Sequence, residues 1–363
     1  MEIKPIEYMA WAKTKPKTGI NLSLSGLMGL SREELAVDWD GLEINGDHPY
    51  GYPPLLEAIA VRHRARVDNV CPVVGASQGI FSVCAALLAP GDDVLVERPA
   101  YEPFLAVPRL FGANVTRFER RFENGYRVDP EEFRRAFTPR TKLVLLANPH
   151  NPSGVALSHE EVLALALASE EKGATVLIDE IYLEFLEGEK AGTAFGLAPN
   201  IVVTSSLTKV FGLAGLRCGW VLAPAGLAAV LRRLMDYVIV EQVFIGEQVA
   251  ARMFARLDEI RRRSRPLVEG NLRIISGFMR DQEALEWVAP DPGIICFPRL
   301  RGARDATDLA RRLLEGYDTG IVPGRFFEEP RSFRLGFGIP TDSLVRGLGN
   351  LKKAIHQLGL KIP

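Results

Sequence analysis

Between Cys71 and Ser206 the chain alternates short strand-like runs with helical stretches, and this alternation limits the fold more than any other feature. The segments CPVV, DDVLVE, NVTRFE, TKLVLLAN, ATVLIDE and IVVTSS read as strands. Most are nearly continuous in apolar residues, the pattern of a strand buried on both faces. Helical stretches such as IFSVCAALLA and SHEEVLALALASEEKG separate several of them. The expected fold is therefore α/β, a mostly parallel sheet with helices on both faces.

The pattern changes after Leu227. Long helices run through LAAVLRRLMDYVIVEQVFIGEQVAARMFARLDEI, and the remaining residues mix helix with short strands such as GIICFPRL and SFRLGFG. That reads as a smaller α+β domain. A chain of 363 residues exceeds the usual size of one domain, about 150 residues. We place a large domain at 46–245 and a small one at 1–45 plus 246–363, with the N-terminal segment packing on the C-terminal domain. A Ser-x-x-Glu start at Ser31 predicts a short capped helix.

Formal net charge is −1, which argues against nucleic acid or an anionic membrane as the main partner, since both reward a basic excess. The run RRRSR at Arg261–Arg265 reads as a solvated helix face. The four cysteines never form CxxC, and the five histidines show no metal-ligand spacing, so no metal is expected. The N-terminus lacks the apolar core of a signal peptide. No apolar stretch reaches the roughly 20 residues of a membrane span. The expectation is a soluble, reduced, cytoplasmic protein.

Open parallel sheets bind ligands beyond the carboxyl ends of their strands, so the residues after each strand carry the functional reading. After CPVV comes Gly75-Ala76-Ser77-Gln78-Gly79 and then a helix. Free N–H groups and the helix dipole favour an anion there; Ser77 reads equally well as a plain helix cap. After TKLVLLA comes Asn148-Pro149-His150-Asn151-Pro152-Ser153-Gly154, a rigid turn whose prolines and glycine are ordinary turn chemistry. It does not require two asparagines, whose amides both donate and accept. After ATVLI come Asp179, Glu180 and Tyr182; an acid ending an apolar strand needs a partner. After IVVTSS comes SSLTKVFGLAGLRCGW, which sets Ser206, Lys209 and Arg217 among apolar and small residues. Unpaired buried charge is costly, so an anion belongs between those two cations.

With these residues quoted in order, the chain resembles the fold-type I pyridoxal-5′-phosphate (PLP) enzymes of the class I/II aminotransferase group, over nearly its whole length. YGYPPLLEAIA, VVGASQGI, NPHNPSG, DEIY, SSLTKVFGLAGLRCGW, IVPGRFF and SFRLGFG are similar to that family's motifs. The resemblance implies that Lys209 is the Schiff-base lysine and also moves the Cα proton. It implies that Asp179 sits by the pyridine nitrogen, and that Asn151 and Tyr182 donate hydrogen bonds to the ring oxygen. Lys209, Asp179 and Tyr182 are thus the expected catalytic residues. Tyr101 would stack on the ring. Ser206, Arg217, Ala76, Ser77 and Gln78 would bind the phosphate, with Tyr50 or Tyr52 reaching it from a second subunit. Arg334 would clamp the substrate α-carboxylate, with Asn151 and Gly26 nearby, although NLSLSGL departs from the commoner form of that segment.

The implied activity is amino transfer between an amino acid and a 2-oxo acid by a homodimer with active sites at the interface. Other PLP reactions compete. NPHNPSG, with His150, is also a form found in carbon–sulfur β-lyases. LTKVFGLAGLR suits a histidinol-phosphate-type transaminase, although HPYGYPP replaces that group's usual stretch. A non-catalytic PLP-binding module is the reading from another class. Arg325, in PGRFF, either recognises an acidic group or pairs with Glu328 or Glu329; the pair is the expectation.

Overall fold

The computed structural model describes residues 3–46 and 48–359. Its main sheet has seven strands, numbered here in chain order: β1 (Val70–Val73), β2 (Asp93–Arg98), β3 (Asn114–Glu119), β4 (Thr141–Ala147), β5 (Thr175–Asp179), β6 (Ile201–Ser206) and β7 (Gly219–Leu222). Their spatial order is β1-β7-β6-β5-β4-β2-β3. All neighbouring pairs are parallel except those made by β7, which runs antiparallel to both β1 and β6. β1 to β6 match the six strands read from sequence to within a residue or two. β7, the segment GWVL, is an addition to them. It is only four residues long, and although it pairs with β6 just before it, its other neighbour, β1, lies far back in the sequence.

The inner parallel strands are almost wholly buried, β6 completely, because helices cover both faces, while the edge strand β3 is mostly half-buried. On one side Ile80, Val83 and Cys84 pack against Val94, Val96, Leu145 and Leu177. These come from α2 (Ala76–Leu87), since α1 is the N-terminal helix Glu7–Thr14. On the other side Val144, Leu146, Val176, Ile178 and Val203 meet Val162, Leu165 and Val249. Register sets the strand ends together: Ala147 pairs with Asp179, and Asp179 with Thr204.

A second core holds Ile20 and Leu22 with Ile275, Leu309, Leu335, Phe337 and Leu351. Ile20–Asn21 pairs in parallel with Thr319–Gly320, and Gly336 N–H donates to the Leu22 carbonyl at 2.7 Å. The approach is so close that a Cβ on Gly336 would overlap the Leu24 carbonyl oxygen. The N-terminal segment thus lies directly against the strand Phe333–Gly336, which carries Arg334. The Ser31 cap forms as read, with Ser31 and Glu34 bonding each other's backbone N–H groups. Arg263 and Arg265 stay largely exposed and pair with Glu34, Glu187 and Glu269. Arg325 differs from expectation. It pairs with Glu7 at 3.6 Å and lies over the Phe326 ring, while Glu328 is taken by Arg117.

Candidate active site

The carboxyl ends of β1, β2, β4, β5 and β6 open onto one cavity of about 490 Å³, within the roughly 300–1,000 Å³ usual for small-molecule sites. Its lining includes Ala76, Ser77, Tyr101, Asn151, Asp179, Tyr182, Ser206, Lys209, Arg217, Arg334 and Gly26. Residues chosen for their place after a strand therefore converge from distant parts of the chain. Gln78 and Tyr50 are not among the described residues lining it. Gln78 turns its side chain to the Val74 N–H and to Met235 Sδ, and its own N–H bonds the Gly75 carbonyl. Tyr50 is 44% exposed at the surface, and Tyr52 packs against His48 and Phe244 of its own chain.

At one end the cavity is shaped for an anion. Helix α2 begins after Gly75, which has φ +89° and no side-chain cap, so the dipole end faces the cavity through Ala76 and Ser77. Arg217 stands in the left-handed region at φ +53°, with Nη2 on the Val74 carbonyl at 2.9 Å and Nη1 on the Ala214 carbonyl at 3.3 Å. Gly75 makes that crossing feasible: a Cβ there would sit 2.5 Å from Arg217 Nη2. Neutral carbonyls hold the guanidinium, and its charge is left for a ligand. Ser206 and Ser77 complete the rim. Two hydroxyls, a guanidinium and a helix N-terminus form a donor set that fits a phosphate.

In the middle stand Lys209 and Asp179. Lys209 Nζ donates to Ser25 Oγ at 2.8 Å. Burial first, and then the Arg334 charge, lower its pKa to about 8, while Asp179 opposes the shift. Burial raises Asp179 to about 7. Its Oδ1 accepts from Ile181 N–H at 3.1 Å, and the carboxylate has further lone pairs for a cationic partner. Tyr182 lines the cavity beside them, and its hydroxyl donates to the Ser25 carbonyl at 3.0 Å. Burial lifts that phenol to about 12. Tyr101 lines the cavity edge-on to Tyr8, ring centroids 6.1 Å apart.

At the other end Arg334 is 1% exposed. Its Nη1 donates to Asn151 Oδ1 at 2.9 Å and its Nη2 to the Tyr8 hydroxyl at 2.7 Å. The Tyr8 and Phe327 rings flank it, and its Nε has no partner among the described residues. A buried cation with only neutral partners is costly, and a planar guanidinium is the natural match for a carboxylate. With Oδ1 used by Arg334, the Asn151 NH₂ remains a donor. Asn148 instead ties the turn together, bonding both the N–H and the carbonyl of Leu157. His150 is wholly buried behind the turn. Its ring nitrogens meet Ser153 Oγ at 2.7 Å and the Pro99 carbonyl at 2.9 Å, and burial holds it neutral.

Apart from Gly26, sequence reasoning missed the N-terminal contribution. Tyr8, Met9, Trp11, Lys15, Ser23 and Ser25 all line the cavity. The only local hint is the helical spacing of Tyr8, Trp11 and Lys15; Arg334, which Tyr8 bonds, is far along the chain.

Glu180, next to Asp179, faces away from the cavity and gives a pH test of the strand end. It is 2% exposed, accepts from Ala194 N–H at 2.6 Å, and burial raises its pKa from 4.5 to about 8. Between those values the native state keeps a proton that the unfolded chain has released. Its contribution is therefore full below the unfolded pKa and is lost as pH rises toward the folded one, by up to about 1.4 kcal/mol per pH unit. Glu180→Gln should flatten that slope in urea unfolding between about pH 5 and 8. A pH-independent difference from wild type would contradict it.

Comparison with known proteins agrees with this geometry. The family model for aminotransferase class I and II matches residues 44–351. The chain is 31% identical over 321 residues to arginine–pyruvate transaminase of Pseudomonas aeruginosa, covering 85% of this chain and 80% of that one. It is 31% identical over 308 residues to capreomycidine synthase of Streptomyces vinaceus, covering 83% and 78%. A PLP-dependent aminotransferase from Streptococcus suis superposes with a TM-score of 0.92 at 24% identity, covering 98% of this chain and 99% of that one. The matched span runs from before the first strand of the sheet to beyond Arg334, and the chain belongs to the class I and II aminotransferases, PLP-dependent enzymes of fold type I.

Proposed function

We propose that Lys209 carries the cofactor, that Asp179 partners its ring nitrogen, and that the Asn151 NH₂ donates to its ring oxygen. In this reading Arg217, Ser206, Ser77 and the α2 N-terminus hold the phosphate, and Arg334 holds the α-carboxylate of the amino acid. The observation that carries it is a charge imbalance. The cavity collects Lys15, Lys209, Arg217 and Arg334 against the single carboxylate of Asp179. A phosphate and a substrate carboxylate are the anions those cations need.

When bound, PLP supplies an aldehyde that links to amines and a ring that draws electrons from the carbon bearing the amino group. The chain supplies the rest. An amine with a pKa near 8 can both take and return a proton close to neutral pH. Asp179 is buried, and a cation beside it favours its charged form, so the pair forms where water is excluded. Asn151 links the two ends of the site, because its oxygen orients Arg334 while its NH₂ faces the cofactor. Tyr182 orients the Ser25 segment and so sets where Ser25 Oγ meets Lys209.

A homodimer belongs to the same proposal. Tyr237 is 89% exposed, and Tyr50, Val238, Val240, Val243 and Ile245 also stand exposed, an apolar surface suited to a second copy. A division into two domains is supported by the main sheet and by the separate core that joins Ile20 and Leu22 to the C-terminal elements, with the boundary beyond 245, since Val249, Met253 and Ile260, like Val37, pack on the main-sheet core. Cytoplasmic residence is supported by four buried, unpaired cysteines. No helix among the described residues is long and apolar enough to cross a membrane.

The experiment that tests the reaction mixes cofactor-loaded protein with an amino acid and no oxo-acid acceptor. Amino transfer yields one equivalent of 2-oxo acid per site and then stops. Continued release of ammonia or thiol would mean a lyase.

A further inference from the structure

Behind the cavity lies a buried polar knot that the reaction does not use directly. Arg120 and Glu97 are both fully buried and pair at 2.9 Å. Glu97 Oε1 accepts from the Ala147 N–H at 2.8 Å, and Arg120 donates to the carbonyls of Tyr126, Ala147 and Val155. One ion pair thus fixes the end of β4 and the far side of the turn that follows it. Apolar side chains would serve stability at least as well; what a polar knot adds is direction.

His150 extends this knot. Its ring is wholly buried, with Nε2 3.9 Å from Glu97 Oε2, and burial and the Arg120 charge keep it neutral. A carbonyl only accepts, so Nε2 carries the proton and donates to the Pro99 carbonyl at 2.9 Å. Nδ1 then accepts from the Ser153 hydroxyl at 2.7 Å, and Ser153 Oγ accepts from the Val155 N–H at 3.2 Å. Both ring nitrogens are used, and the bonds run from one loop to another. His150 directly precedes Asn151, and Pro99 shortly precedes Tyr101; Asn151 and Tyr101 both line the cavity. Asn151 Oδ1 in turn receives Arg334. Prolines and a glycine would shape the turn without a histidine; the imidazole is what reaches across to Pro99.

We propose that His150 is a positioning residue that couples the Asn151 turn to the Tyr101 loop, so that the ring-oxygen donor, the aromatic wall and the Arg334 clamp keep one geometry. This rests on the reading of Asn151 as the donor to the ring oxygen of the cofactor.

The test compares His150→Leu, His150→Asn and His150→Gln as PLP-loaded proteins, each first shown to unfold cooperatively in urea. The readouts are the pH titration of the bound cofactor's absorbance and the binding of propionate by calorimetry. In His150→Leu the titration should move up by about one pH unit, since a ring oxygen without a well-aimed donor holds a proton more firmly. Propionate should bind about tenfold more weakly, the scale of one lost orienting hydrogen bond. kcat/KM for an amino acid should fall about 100-fold, the scale of a small misplacement of reacting groups. Gln sets its amide nitrogen where Nε2 stood and should recover most of the loss; Asn reaches only toward Ser153 and should not. A His150→Leu protein within about twofold of wild type in propionate binding, with an unmoved titration, overturns the inference, as does equal behaviour of Asn and Gln. If His150→Leu does not fold, the comparison of Asn with Gln decides alone. Asn151→Ala separates this inference from the reading beneath it. If it moves neither readout, the role of Asn151 falls and the coupling with it; if it moves both while His150→Leu moves neither, the role of His150 alone falls.

Discussion

Lys209→Ala abolishes turnover. The expected loss exceeds about 10⁴-fold, the upper range for a single acid–base group, because one side chain both anchors the cofactor and moves the proton. No neighbour can replace it. Asp179 and Tyr182 are held by Ile181 N–H and the Ser25 carbonyl, and Arg334 does not release a proton in this range. Lys15 is the other lysine of the cavity, but it bonds Asn21 and Ser23, away from the Asp179 end. The check is multiple turnover by purified variant in the presence of added PLP. Sustained product formation would remove Lys209 from the role.

Asp179→Asn should slow proton transfer by about 10²–10³-fold, the usual cost of removing one preorganised charged partner from a buried site. The amide keeps the shape and the bond from Ile181 N–H, so the fold should survive. Retention of the cofactor should change far less, since Arg217, Ser206 and the α2 N-terminus hold the other end. Single-turnover rates measured beside a cofactor-dissociation assay separate the two effects. A variant that transfers the proton within about tenfold of wild type would show that Asp179 is not electrostatically coupled to the reaction.

Strand ends were legible in the sequence because the sheet is parallel. Each apolar run had to stop, and what followed it had to face the same edge, so Ala76, Asn151, Asp179 and Lys209 could be gathered without coordinates. The family resemblance added roles that spacing alone could not give. What stayed hidden depends on long-range packing. GWVL pairs with strands on either side only because the chain turns back after Arg217. Tyr8 reaches Arg334, and Ser25 reaches Lys209, across most of the chain. Arg325 had acids beside it in sequence, yet Glu328 bonds Arg117 and leaves Glu7, on α1, as its partner. Gln78 stands next to the anion-binding turn, but the helix rotates its side chain toward Met235.

Two lysines with pKa near 8 share the cavity, and only Lys209 should carry the cofactor. The most direct test is to load the protein with PLP, fix the cofactor to its lysine with borohydride, digest, and map the modified peptide by mass. The label is expected on Lys209, within SSLTKVFGLAGLR, and not on Lys15. A label on Lys15 would contradict it, and the site would have to be rebuilt with the N-terminal segment at its centre.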